Sequence, residues 1–398
     1  MKRILFVDDE SKILDGLRRM MYAERKRWNT QFAQGGEAAL RAFEESSFDV
    51  VVSDMRMPSM DGATLLSQIR DRYPGTARII LSGYSEGSLT SRTLSVAHRF
   101  LAKPCNVAEL RSALECVFAL QEVLAVPEIR AVVSGIGELP SLSSTYISLT
   151  QAVKDPNSSI HHVAEIIAHD LAMSAKVLQL VNSAFYGLPQ RVINIQSATA
   201  YLGMETLKNL ALASEIFRIF RPNACISQEV YASMQCHAER AAAIAAVLPI
   251  DPKIRDVTLL AALLHDTGSL ILASKMPDAF CSARALAQKR GCKAFEAELE
   301  LLGTSHAEIG AYLLGLWGIS SHAIEAIAHH HQPTRIPHSG FDSTIAVYVA
   351  DLLAGSLSAQ TPGSASLELD PGDRARFETL GILDRFPEFC RLALQSCK

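Results

Sequence analysis

Apolar residues follow two rhythms along this chain. Near the N-terminus they form short continuous runs, at residues 4–9 (ILFVDD), 49–54 (DVVVSD), 78–82 (RIILS) and 99–103 (RFLAK). Unbroken runs of this length predict strands buried on both faces of a parallel sheet. Between them the apolar positions take helical spacing, predicting helices over about 12–25, 36–46, 62–72, 86–97 and 106–125. A weaker strand signal lies near 29–34. Strands alternating with helices predict an α/β doubly wound sheet. Its strands' carboxyl ends share one rim, so Asp8, Asp9, Asp54, Ser82 and Lys103 are expected to meet there.

Beyond residue 106 the strand rhythm nearly disappears. The stretch 126–144 holds Pro127, Gly135, Gly137 and Pro140 and reads as a junction. From about 140 to 355 helix follows helix, as in VAEIIAHDLAMSAKVLQLV at 163–181. Residues 360–373 read as a loop and 374–397 as short helices. The expected organisation is an α/β domain over 1–125, a junction over 126–139, an all-α domain over 140–332 and a helical extension over 333–398.

Composition narrows the partners. The chain has 398 residues, 48% of them hydrophobic, enough to bury a substantial core. The net charge of −4, with Arg and Lys scattered, gives no footprint for nucleic acid. Helices predicted at 159–181 and 194–212 lack the polar density that groove contact needs, so no DNA is expected. No apolar run approaches the ~20 residues of a spanning helix, and the N-terminus is too short in apolar residues for a signal peptide. Neither membrane nor export is therefore expected, and the localisation reads as cytoplasmic. Eight cysteines occur without a CxxC pair and read as free thiols of a reducing compartment.

The rim residues have the makings of phosphoryl chemistry. A carboxylate such as Asp54 can accept a phosphoryl group as an acyl phosphate. Asp8 and Asp9, with Asp54, offer hard oxygen ligands for Mg²⁺. Lys103 supplies a point positive charge, and Ser82 a hydroxyl. On FVDDE, SDMRMPSMDG (53–62), IILSGYS (79–85) and FLAKP (100–104), residues 1–125 resemble the receiver domain of two-component response regulators. The resemblance implies phosphorylation of Asp54 by a cognate sensor histidine kinase and a flavodoxin-like sheet in the order 2-1-3-4-5. It also implies a switch through Ser82 and Phe100, where Phe100 replaces the family's common tyrosine.

The helical part carries chemistry of a different kind. His265–Asp266 lies in the apolar run LLAALLHDTGSLIL. Buried polar and charged groups are costly unless paired or bound to metal. ELPSLSSTY, IIAHDLAMSAKVLQLVNSAFYG, AYLGMETLKNLAL, LLHDTGSLIL and HAEIGAYLLGLWGI resemble the HDOD domain, a helical relative of the HD phosphohydrolases. That resemblance implies a metal-ligand pattern of His237, His265–Asp266 and Asp351. His306 and His329–His330 fall at places similar to the extra ligands of two-metal HD-GYP phosphodiesterases, while His331 has no assigned role. Imidazole with carboxylate suits Fe, Mn, Zn or Ni. Ser269 stands where active phosphodiesterases have lysine, the GYP motif is missing, and HDOD domains are generally regarded as lacking activity. The expected output is therefore contact with an unidentified downstream signalling protein, with homodimerisation as one route. A metal-dependent phosphohydrolase acting on a cyclic di-GMP-type substrate is the alternative.

Overall fold

The structure, a computed structural model, describes residues 1–83, 96–103, 105–134, 158–168, 194–200, 227–317, 319–359 and 368–396, with isolated positions between 148 and 211. Two compact units divide the chain: Met1–Leu142 with Tyr312–Ile319, and Ser143–Ala311 with Ser320–Lys398. The helix expected over 86–97 lies outside the described residues up to 95. So do the motif NSAFYG and most of the helices expected at 159–181 and 194–212.

The first unit is the doubly wound sheet that the apolar runs predict. Its strands are β1 (Lys2–Asp8), β2 (Trp28–Gln34), β3 (Val50–Asp54), β4 (Ala77–Gly83) and β5 (Arg99–Lys103). All pairings are parallel, in the order β2-β1-β3-β4-β5. Ile4, Leu5 and Phe6 of β1 and Val50, Val51 and Val52 of β3 are fully buried, as central strands covered on both faces must be. β2 pairs only with β1 and is partly exposed, which is why its sequence signal is weak. Helices α1 (Ser11–Met21), α2 (Gly36–Glu45), α3 (Gly62–Arg72) and α4 (Val107–Val123) bury one apolar stripe each. The first ends four residues earlier than expected and passes into a single 3-10 turn, Tyr22–Glu24. The charged run that follows offers no apolar face to prolong it.

The expected junction contains a helix, α5 (Pro127–Ser134), that begins at a proline whose missing N–H costs nothing there. Its last carbonyl is held by two buried side chains at the start of β4 and just before β5. Arg78 Nη2 donates to Ser134 O at 2.9 Å, and His98 Nε2 donates to the same oxygen at 3.1 Å. Arg78, completely buried with no carboxylate partner among the described residues, also donates to Val96 O and Thr76 O. Burial drops its pKa to about 9. His98 Nδ1 accepts from Arg78 N at 3.0 Å, so a second ring proton would face an N–H. Burial first, and then Arg78, hold His98 well below the usual histidine range.

The second unit is helical among its described residues: α6 (Ile160–Ala168), α7 (Gln228–Val247), α8 (Arg255–Leu264), α9 (Thr267–Lys275), α10 (Pro277–Arg290), α11 (Ala294–Leu302), the first half of α12 (His306–Leu316), α13 (Ser321–His329), α14 (Ser343–Ala359), α15 (Pro371–Thr379) and α16 (Phe386–Ser396). Every residue from Thr258 to Leu264 is buried, the mark of a helix enclosed on all sides. α8 packs against α7, α13 and α14, α7 also packs against α14, and α7 carries a run of buried alanines, Ala241–Ala243 and Ala245. α16 seats Phe389 against this group from the C-terminal side. One stretch, Pro252–Lys275, does have the length and hydropathy of a membrane span, contrary to the sequence reading. It breaks at His265–Asp266, and 78% of its apolar window is buried inside the protein. Its hydrophobicity is that of a core helix.

Candidate functional sites

Three strands of the first unit end on charged residues. Asp8 closes β1, Asp54 closes β3 and Lys103 closes β5. Lys103 reaches across β4 and bridges the two acids, donating to Asp8 Oδ2 at 2.9 Å and to Asp54 Oδ1. Burial works against the ammonium, but Asp54 and Asp8 outweigh it and raise its pKa. The acids are also held from behind: Glu10 N donates to Asp8 Oδ1 at 2.9 Å, and Arg56 N to Asp54 Oδ2 at 2.8 Å. Asp54 is nearly buried, 8% exposed. Gly62 closes the loop after it, because a Cβ there would lie 2.2 Å from Asp54 O. Asp9 follows β1 directly and is half-buried. Ser82 and Phe100 take their places in β4 and β5, with side chains outside the described residues.

In the second unit seven side chains converge, most of them from helix ends. His237 lies within α7 and Asp351 within α14. His265 caps the C-terminus of α8, Asp266 precedes α9, His306 opens α12, and His330 and His331 follow α13. One device recurs at the two helix C-termini. His265 Nδ1 donates to Ala262 O and His330 Nδ1 to Ile327 O, each at 2.7 Å, satisfying carbonyls the ending helix leaves without partners. Both rings are thereby fixed with Nε2 facing inward. The close approach of α9 and α12 depends on two glycines. A Cβ on Gly268 would fall 1.8 Å from His306 O, and one on Gly310 would meet Gly268 N at 2.9 Å. That contact brings Asp266 beside His306.

Asp266 lies between two groups of ligand atoms. Its Oδ2 faces His265 Nε2 at 3.4 Å and His237 Nε2 at 3.8 Å. Its Oδ1 faces His306 Nε2 at 3.1 Å and His330 Nε2 at 3.9 Å. Asp351 is shared likewise, with Oδ1 at 3.0 Å from His237 Nε2 and Oδ2 at 3.4 Å from His331 Nδ1. The groups His237–His265–Asp351 and Asp266–His306–His330–His331 each keep their ligand atoms within 4.8 Å of one another. His330 Nε2 is completely buried and has no hydrogen-bond partner among the described residues. Leaving such a group unpaired costs about 1–3 kcal/mol, so an atom aimed into a cage of imidazoles and carboxylates fits a metal ligand.

Metal-free, the charges sort themselves by neighbour. Burial would lower His306, but Glu298 and Asp266 raise it to about 10. His265 is likewise raised by Asp266 and Asp351 against its burial. Asp266 and Asp351 are held well below the carboxylate range by these histidines despite burial. Burial, reinforced by neighbouring histidines, depresses His330 to about 4 and His331 well below its usual value.

The profile of the response regulator receiver domain matches residues 4–115, and that of the HDOD domain matches residues 139–333. The chain belongs to the response regulators that carry an HDOD domain. An uncharacterized protein of Treponema pallidum is 23% identical over 57% of this chain and 44% of its own length. An uncharacterized transcriptional regulatory protein of Bacillus subtilis, YesN, is 33% identical over 30% of this chain and 33% of its own. The chain thus spans less than half of either relative. An HDOD domain protein of unknown function from Geobacter sulfurreducens shares the fold, with a TM-score of 0.50 at 21% identity over 65% of this chain and 88% of that one.

Within the HDOD domain one expected ligand is corrected. His331, not His329, joins the cluster with His330. Successive helical residues turn by about 100°, so adjacent side chains cannot all face one point. His329 is the last helical residue and faces away, while His331 already lies in the following turn. Pro333, which ends helices, was the available sign that the histidine run straddles a helix end. Sequence reading also missed Glu298. Its carboxylate, 3% exposed, accepts from both Nδ1 and N of His306 at 2.7 Å. Burial would raise its pKa, yet His306 holds it down. The sign here was an acid on the apolar stripe that Phe295 and Leu302 mark on α11.

Proposed function

We propose that the chain works in a phosphorelay. A sensor histidine kinase phosphorylates Asp54, and the phosphorylated receiver switches the HDOD domain, whose output is contact with a downstream signalling protein. Support comes from the Lys103 bridge, which gathers Asp8 and Asp54 at one rim. An Asp54 carboxylate oxygen attacks the phosphorus of a phosphoimidazole. The P–N bond breaks, the imidazole nitrogen leaves and takes up a proton, and an acyl phosphate forms. Asp8, Asp9 and Asp54 would hold Mg²⁺, which when bound offsets the charge of the transferred group. Lys103 gives its positive charge to the same oxygens, and the Arg56 N–H keeps Asp54 oriented. The added dianion biases a two-state receiver surface. Acetyl phosphate or beryllofluoride should change the small-angle scattering profile of the full chain, and Asp54→Asn should abolish the change. Identical profiles with and without donor would sink the coupling.

A second reading gives the HDOD domain a metal-dependent phosphohydrolase activity. The observation favouring it is His330 Nε2, buried without a hydrogen-bond partner among the described residues and facing Asp266. His237, His265, Asp351, Asp266, His306, His330 and His331 would hold one or two transition metals. A divalent metal, when bound, supplies Lewis acidity toward a phosphoryl oxygen and toward water. Elemental analysis of purified protein, set against His265→Ala/Asp266→Ala, tests the site. Metal at one or two per chain, lost in the double variant, justifies an assay with cyclic di-GMP. Metal-free wild type closes this reading.

A further inference from the structure

The two ligand groups around Asp266 are not equivalent, and the difference lies in what stands behind their histidines. In the group His237–His265–Asp351, His265 is oriented by a backbone carbonyl, Ala262 O. In the group Asp266–His306–His330–His331, His330 is oriented the same way by Ile327 O. Among the described ligand histidines, His306 has behind it a carboxylate that belongs to neither ligand group. Glu298 Oε2 accepts its Nδ1–H and its backbone N–H, each at 2.7 Å, so both ring tautomer and ring position are set. Nε2 is left pointing at Asp266 Oδ1, 3.1 Å away. An anionic acceptor on one imidazole nitrogen makes the other a stronger donor to a metal, whereas a neutral carbonyl does so less. The group holding His306 also has the larger set, three imidazoles and one carboxylate against two and one.

We propose that the HDOD domain holds two metal positions of unequal affinity, and that Glu298, as a positioning residue, makes the one containing His306 the tighter. This rests on the metal-binding reading above and says which position fills first. The position of His237, His265 and Asp351 then empties and refills while the other stays loaded. An exchangeable position beside a resident one suits a domain whose state is to be changed by a signal.

The test is a Zn²⁺ titration of chelator-stripped full-length protein, with a chromophoric chelator as competitor. Two binding steps are expected for wild type. Glu298→Gln keeps the acceptor and removes the charge, and should weaken the tighter step about tenfold; Glu298→Ala should weaken it toward a hundredfold. The weaker step should not move in either variant, whereas His237→Ala should remove it. The metal-free Gln variant loses its charge pairing with His306 and should melt below wild type, but a purely structural role for Glu298 would weaken both steps together rather than the tighter one alone. Should the Ala variant not fold, the Gln variant decides alone. If Glu298→Gln leaves both steps unchanged, or weakens both equally, Glu298 does not set the asymmetry, and the metal site stands without it. If wild type binds no Zn²⁺, the metal-binding reading fails and takes this proposal with it.

Discussion

The two candidate sites are assembled from opposite parts of regular structure. In the receiver, Asp8, Asp54 and Lys103 are the last residues of three parallel strands, and one lysine joins them. In the HDOD domain the clustered side chains come from helix ends and helix interiors far apart in sequence, and His265, His306 and His330 are each aimed by a partner of their own. Strand ends converge because the sheet makes them converge. Helix faces converge only when phase, capping and packing agree. The receiver site therefore follows from topology, and the HDOD site from a set of separate local decisions. Substitutions should accordingly act as single failures in the first and graded failures in the second.

The largest expected effect separates the sites outright. Asp54→Asn removes the attacking carboxylate, so acyl phosphate formation from acetyl phosphate should vanish, read as loss of the acid-stable, hydroxylamine-labile label. Metal content should be unchanged. His265→Ala/Asp266→Ala should do the reverse. If either variant abolished both signals without unfolding, the sites would not be independent.

Both sites keep a glycine against the backbone of a functional residue. Gly62→Ala would place a Cβ 2.2 Å from Asp54 O, and Gly268→Ala one 1.8 Å from His306 O. Backbone cannot step aside as a flexible side chain does, so each should cost about 3 kcal/mol, near the upper range for overpacking. Thermal melts would show it. Gly268→Ala should also weaken metal binding, since α9 and α12 would separate, whereas Gly62→Ala should slow phosphorylation. Equal stability of Gly268→Ala and wild type would mean that the close helix contact is not needed.

What could be read from the chain follows the same division. The runs 4–9, 49–54, 78–82 and 99–103 are strands with the expected parallel order, and Asp8, Asp54 and Lys103 needed no further information to be brought together. The HDOD cluster of His237, His265, Asp266, His306, His330 and Asp351 was reachable only by resemblance, because nothing local ties a histidine on α7 to an aspartate more than a hundred residues later. Where the local rule fails by one step, the reading fails by one residue: the helix ends at His329, so His331 occupies the place expected of its neighbour. Glu298 was missed because a carboxylate on an apolar stripe shows an anomaly without naming its partner. The helix α5 hid in the junction, because the Pro and Gly that bracket it are also loop signals.

A smaller effect concerns the base of the sheet, away from either chemistry. His98 is kept neutral by burial and by Arg78, its pKa well below the 6.5 of an exposed ring. The unfolded chain therefore binds a proton below pH 6.5 that the folded receiver refuses. Stability from this group is fully present above pH 6.5 and falls as the pH drops toward the folded pKa. Between pH 7.5 and 5 the loss should be about 2 kcal/mol, measured by denaturant melts. His98→Gln should flatten that part of the profile. If wild type and variant showed the same slope, His98 would already be charged in the fold.

The smallest expected effect sharpens the comparison most. His329 and His331 flank His330, and simple proximity in sequence would give all three similar weight. His331 Nε2 lies 2.9 Å from His306 Nε2, and its Nδ1 faces Asp351. His331→Ala should therefore cost the metal position of His306 a ligand and weaken it roughly 10–100-fold, by analogy with the loss of its supporting groups. His329 is half-buried outside the cluster, its Nδ1 without a hydrogen bond and its pKa lowered by burial. His329→Ala removes an unsatisfied polar atom rather than a contact, so it should change stability by no more than about 0.5 kcal/mol and leave both Zn²⁺ steps where they are. A ligand role for His329 would reverse that order, with the metal steps moving in His329→Ala and standing still in His331→Ala. The helix end at His329 would then be misplaced by one residue, and with it the inward aim of the His330 ring that its Nδ1 bond to Ile327 O enforces.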